Sequence, residues 1–148
     1  MTRPVIVDTG PLVAALNSPD PHHHWAVGQW KALAPPVLTC EAVVAEACHL
    51  ARRTRRGNPE HVLDLVGRGI LDVSFSLVDE VDRVRALAEK YRDVPMSLAD
   101  ACLVRMSELH PGSVVFTLAC DFAVYRRHRR QAIPLLAPDA SGPSRSGE

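Results

Sequence analysis

The chain has 148 residues, 47% of them hydrophobic, enough for a single domain with a proper core. No uncharged apolar run nears the roughly 18 residues of a membrane span. Asp8 breaks the N-terminal apolar segment too early for a secretory signal, so a cytoplasmic location is expected. Seventeen basic residues balance seventeen acidic ones, which argues against wholesale electrostatic attraction to nucleic acid.

In chain order, PVIVD (4–8) is a short β-branched run that suits a buried strand. TGPLVAALN then starts a helix that SPDP (18–21) stops, and HHHWAVGQWKAL (22–33) forms a second one, closed by Pro35-Pro36. VLT (37–39) is a strand. Glu41 to Arg55 reads as a helix ended by Gly57-Asn58-Pro59, and EHVLDLVGRG follows as another. LDVSFS (71–76) alternates like a strand, residues 79–93 form an amphipathic helix, and a further helix runs from Ser97 to about Leu109 before Pro111-Gly112. SVVFT (113–117) and AIPLLA (132–137) are the last strands, with a short turn or helix between them. Such alternation predicts an α/β three-layer α/β/α sandwich with a mostly parallel central sheet over residues 1–137. The small, polar tail from residue 138 to 148 is expected to be disordered.

The charges are less uniform than their sum. Fifteen of the 17 basic residues are Arg, and eight fall in RRTRR (52–56) and RRHRR (126–130). Arg52, Arg53, Arg126 and Arg127 are therefore candidate phosphate contacts, although solvated helix ends explain both windows equally well. The four cysteines show no zinc-ligand spacing and suit reduced core positions. Three consecutive histidines (22–24) point in different directions on a helix, which favours a solvated helix start or a rim contact over a metal site. Trp30 reads as packing, while Trp25 and Tyr125 suit either packing or stacking on bases.

Open α/β sheets bind ligands beyond the carboxyl ends of their strands. Four acids are candidates for that edge. Asp8 closes the first strand, where it or Thr9 also suits a helix cap. Glu46 shares a helical stripe with Val43, Ala47 and Leu50, an expensive place for an unpaired charge; a metal, His49 or a distant Arg would balance it. Asp100 lies on one face with Met96, Leu103 and Val104, yet Ser97-Leu98-Ala99-Asp100 also fits a capping box. Asp121 sits just beyond the apolar run SVVFT and suits an N-cap as well. Four such acids in one small domain favour a hard divalent cation, Mg²⁺ or Mn²⁺.

In this order, VIVDTGPLVAAL, LTCEAVVAEACHL, MSLADACLVRM and VFTLACDFAVYRR resemble the PIN-domain family, and within it the VapC toxins of toxin–antitoxin pairs. The resemblance spans roughly residues 4 to 137. It implies an endoribonuclease that hydrolyses RNA with Mg²⁺ or Mn²⁺ and forms no covalent enzyme intermediate. Asp8, Glu46 and Asp100 match the family's central acids, and Thr9 and Thr117 match hydroxyl positions that help to arrange the site. Ser97 would help to position it, and Asp121 would supply a fourth carboxylate. The resemblance also implies a homodimer and a cognate antitoxin partner. One departure stands out: the usual final motif is T-x-D-x-D-F, and here Ala119 occupies the place of its first acid.

Two other readings remain. A degenerate domain would bind RNA or a protein partner without cutting, and Ala119 is its motive. A receiver-like phosphoacceptor would need a downstream Lys closing a strand, and neither Lys31 nor Lys90 does so.

Overall fold

The structure, a computed structural model, describes residues 3–54 and 58–138. In chain order its elements begin with β1 (Val5–Val7), α1 (Thr9–Leu16), α2 (His23–Ala32), β2 (Val37–Leu38), α3 (Glu41–Arg52), α4 (Pro59–Gly67) and β3 (Leu71–Asp72). They continue with α5 (Leu77–Lys90), α6 (Leu98–Leu109), β4 (Val114–Phe116), a 3-10 turn (Cys120–Ala123), β5 (Arg126–Arg127), β6 (Gln131–Ala132) and β7 (Leu135–Leu136).

Five strands form one sheet in the order β3-β2-β1-β4-β7, every neighbouring pair parallel. The register is set at the centre, where Val5, Ile6 and Val7 face Val114, Val115 and Phe116. Ile6, Val7, Val115 and Phe116 are fully buried, and Val5 and Val114 partly so, as parallel strands under helices require. The helices flank the sheet to give the expected α/β/α arrangement, with α1 against α2 and α3, α3 against α4, and α5 against α6. Leu12, Val43, Ala47, Leu87, Leu103 and Val104 are the inward residues of those helices. Each large one contributes about 1.5–3 kcal/mol by leaving water. Among the described residues no helix is long and apolar enough to cross a membrane.

Several boundaries differ from the sequence expectation, each for a local reason. The strand expected over 71–76 stops at Asp72, whose side chain accepts a hydrogen bond from Ser74 N and folds the chain into a turn. Helix α5 consequently starts at Leu77, capped by Ser76, not at Asp79. Helix α3 ends at Arg52, capped by Arg53, short of the expected Arg55; Arg55 and Arg56 of the RRTRR window lie outside the described residues. The strand expected over 132–137 is split around Ile133 and Pro134. Its first part belongs to an unexpected antiparallel hairpin, β5–β6, whose tip holds His128 and Arg129 at φ 49 and 73. The tail beyond Pro138 also lies outside the described residues.

Candidate active site

The strand order reverses direction at β1, with β2 on one side and β4 on the other. That is the switch point where an open parallel sheet leaves a crevice beyond its strand ends. Asp8 stands there. Its backbone N donates to Phe116 O at 2.9 Å, extending the β1–β4 ladder by one rung, and its side chain caps α1 by accepting from Thr9 N at 2.7 Å. The other carboxylate oxygen accepts from Thr117 Oγ1 at 2.8 Å, and that hydroxyl in turn accepts from Ala119 N at 2.9 Å. Capping and site geometry are thus one arrangement. Gly10 allows it, because a Cβ there would stand 3.1 Å from Leu118 Cβ.

Burial pushes the Asp8 carboxyl up to about 6, and the nearby charges of Asp100 and Glu46 add to the rise; the bonds from Thr117 and Thr9 oppose it. Three of the four expected acids therefore share one electrostatic neighbourhood. Asp100 sits on the first turn of α6 within the expected capping box: its N donates to Ser97 Oγ at 3.0 Å, and its Oδ2 accepts from Ser97 N at 3.4 Å. Asp121 lies in the 3-10 turn beyond β4. Its charge, with those of Asp100 and Asp8, bears on the Tyr125 phenol between them.

Two expectations about these acids need correction. Glu46 is exposed, not embedded in its apolar stripe: Val43 and Ala47 turn inward while the carboxylate lies at the border of the stripe, facing solvent. The desolvation argument for it therefore fails, and it makes no ion pair with His49 or an Arg among the described residues. Asp121 is not an N-cap; Ala119 holds that position without a side-chain bond. The Asp121 side chain is exposed, and only its carbonyl is engaged, accepting from Val124 N and Tyr125 N.

The other candidates separate clearly. Arg52 and Arg53 are exposed at the end of α3. Arg126 and Arg127 are half-buried and spend their guanidinium groups on the protein. Arg126 donates to the carbonyls of Ala123, Val124 and Tyr125, and Arg127 to those of Ser107 and Ser113. Trp25 and Trp30 both pack on Phe116, at ring separations of 5.6 and 5.5 Å. Tyr125 is fully buried, which removes it as a base-stacking residue. Of the three consecutive histidines, His23 bonds Ala14 O, and His22 and His24 are exposed. All four cysteines are free thiols, and Cys40 and Cys102 are buried as expected; Cys120 is exposed.

Sequence reasoning missed the role of one hydroxyl. Tyr125 donates from its phenol to Asp100 Oδ2 at 2.9 Å, and the Phe122-x-x-Tyr125 spacing was the only sign that it turns inward. Thr9 Oγ1 is buried with no hydrogen-bond partner, beside the Asp8 carboxylate.

Among the described residues no three His, Cys, Asp or Glu side chains stand close enough to grip one ion. In kind, however, the donors suit a hard divalent cation. They are all oxygens, burial raises Asp8 with a smaller push from the neighbouring carboxylates, and Thr9 Oγ1 is a buried polar atom in want of a partner.

Comparison with known proteins follows this geometry. Residues 5–127 match the family model of the PIN domain. The fold is similar to that of VapC20 of Mycobacterium tuberculosis, a sarcin–ricin loop cleaving toxin. The TM-score is 0.69 at 21% identity, over 81% of this chain and 93% of that one. No curated protein sequence matches at a significant level.

Proposed function

Because the chain belongs to the PIN-domain family, we propose that it is a VapC-like endoribonuclease that hydrolyses RNA phosphodiester bonds with Mg²⁺ or Mn²⁺. The observation that carries this reading is the buried Asp8 carboxylate at the β1–β4 switch point, pushed up to about 6 mainly by burial, with the charges of Asp100 and Glu46 adding to the rise. An enzyme keeps such a costly arrangement where positive charge is to be bound. Asp8, Glu46, Asp100 and Asp121 would hold the cation, which when bound supplies a Lewis acid that eases deprotonation of water and offsets phosphate charge.

The remaining steps belong to the chain's own groups. Thr117 and Thr9 N fix both Asp8 oxygens, so this carboxylate keeps one orientation. Ser97 fixes Asp100 through the capping box. Asp121 stands exposed at the edge, where a carboxylate can receive a proton from an incoming water. Arg52 and Arg53 are the exposed cations offered to the RNA backbone, since Arg126 and Arg127 are engaged with carbonyls. A toxin–antitoxin partnership and a cytoplasmic homodimer complete the reading. Two surfaces support it: an apolar groove of about 320 Å³ lined by Leu12, Leu16, Val27, Trp30, Leu65 and Ile70, and the exposed Leu77, Val78 and Val81 on α5. RNA containing a sarcin–ricin loop, the target named for VapC20, is a first substrate to try.

The test is cleavage of RNA with Mg²⁺ or Mn²⁺. EDTA should abolish it, and Asp8→Asn or Asp100→Asn should lower it by about 100-fold or more, as expected when a charge-stabilising group is lost. Undiminished cleavage in those variants would sink the proposal. Ala119 and the open spacing of the acids favour a second reading, a domain that retains RNA without cutting. It predicts RNA binding with no metal-dependent turnover, and cleavage gained in Ala119→Asp.

A further inference from the structure

Tyr125 follows the 3-10 turn that carries Asp121, and its backbone N donates to Asp121 O at 3.2 Å. The ring is wholly buried and clamped edge-on by two neighbours, Tyr91 at 5.1 Å and Phe122 at 5.2 Å between centroids. A buried phenol needs a hydrogen-bond partner, and a backbone carbonyl usually serves. Here the partner is Asp100 Oδ2, at 2.9 Å. The same oxygen also accepts the longer 3.4 Å bond from Ser97 N, while Oδ1 takes part in no hydrogen bond among the described residues. In this pair the phenol donates and the carboxylate accepts.

We infer that Tyr125 is a positioning residue: by binding Oδ2 from a rigid aromatic clamp, it makes Asp100 a one-oxygen ligand that presents Oδ1 to a divalent cation. The inference rests on the proposed metal-dependent nuclease and deepens it. The capping box alone anchors Asp100 at its backbone and through one long bond, which leaves the carboxylate plane free to turn. Tyr125 stops that rotation. It also ties the α6 acid to the segment that follows the turn of Asp121. Tyr91, the other tyrosine in the chain, shares the clamp but donates nothing to an acid; its hydroxyl accepts from Arg126 N at 2.9 Å. It is the natural control.

The experiment compares wild type, Tyr125→Phe and Tyr91→Phe by Mn²⁺ titration calorimetry, by kcat and KM on RNA, and by thermal melting. Tyr125→Phe should weaken Mn²⁺ binding about 10-fold and lower kcat about 10-fold at saturating metal with KM for RNA unchanged, as for loss of a group that orients a ligand. Tyr91→Phe should lower the melting temperature and leave Mn²⁺ affinity alone. Equal Mn²⁺ affinity in wild type and Tyr125→Phe, or an equal loss in both variants, overturns the inference while leaving the nuclease standing. A wild-type protein that binds no Mn²⁺ overturns the metal site and the inference together. A second measurement needs only the wild-type fold: with ¹³Cζ-labelled tyrosine the protein gives two signals, assigned by Tyr91→Phe. Mg²⁺ should shift that of Tyr125, and a titration that moves neither signal, or only that of Tyr91, overturns the proposal.

Discussion

Asp8 costs the fold stability in order to stay charged. Its ordinary value of 3.8 rises to about 6 in the folded chain, mainly because it is buried. A raised carboxyl favours folding fully below 3.8 and loses that contribution as the pH climbs through about 6. At pH 7.5 the ionised group therefore weighs against the folded state, by at most about 3 kcal/mol. In EDTA, Asp8→Asn should raise the melting temperature at pH 7.5 by roughly 3–10 °C, and the gain should vanish towards pH 4. A gain of the same size at every pH would refute this account. Ala119 is the complementary case. It is exposed, with φ −86 and ψ 126, a backbone that aspartate adopts without strain. On the nuclease reading, Ala119→Asp should leave the melting temperature within about 1–2 °C and raise cleavage severalfold, as a surface change of small energetic effect. A drop in rate would show that the turn has no room for another acid.

Helix α6 is held by its far end as firmly as by its cap. Glu108 accepts a two-pronged bond from Arg83 of α5, at 2.9 and 2.7 Å, another from Arg105, and one from His128 N at the hairpin tip. Burial alone would raise this carboxyl; the bond from Arg83, then those from His128 N and Arg105, outweigh it and hold it at about 2. The sign is opposite to that of Asp8: this stability is present above the ordinary 4.5 and lost as the pH falls through about 2. Glu108→Gln should cost about 2–3 kcal/mol at pH 7, less than the 3–5 kcal/mol of a fully buried pair because both arginines remain partly exposed. Denaturant unfolding at pH 7 and pH 2 measures this, and the difference between variant and wild type should shrink at the lower pH. None of it was legible in the sequence, where Glu108 reads as one more charge on a helix. Helix α6 itself was legible, because Ser97 and Asp100 are three residues apart and His110-Pro111-Gly112 must end it. The β5–β6 hairpin was not, since Arg126 to Arg130 carry no strand pattern and are shaped by carbonyls of distant residues, Ser107 and Ser113.

At the scale of the molecule, alternating strands and helices made the layers readable, and Asp8 after the first apolar run marked the carboxyl end of the central strand. The order β3-β2-β1-β4-β7 was not, because periodicity reports which residues are buried and not which strands are neighbours. Glu46 shows the same limit: helical spacing put it near the apolar stripe, and only the packed helix reveals that its side chain faces water. The exposed apolar residues of α5 bear on assembly, and Val78, at 79% exposed, has no role in the protomer's core. If the homodimer uses this face, Val78→Asp should shift sedimentation from dimer to monomer without lowering the melting temperature of the monomer. An unchanged dimer would move the interface elsewhere.

The bond from Thr117 to Asp8 joins residues 109 positions apart, and β1 gains its second neighbour, β4, only after β2. On the nuclease reading this spacing works as a safety catch during synthesis. A ribosome that has made the first hundred residues has already supplied Asp8, Glu46 and Asp100, yet Thr117 and the β4 rung that complete the hold on Asp8 are still to come. Cutting power arrives late and all at once, when the last third of the chain closes the sheet, so an interrupted product of translation is harmless to the RNA around it.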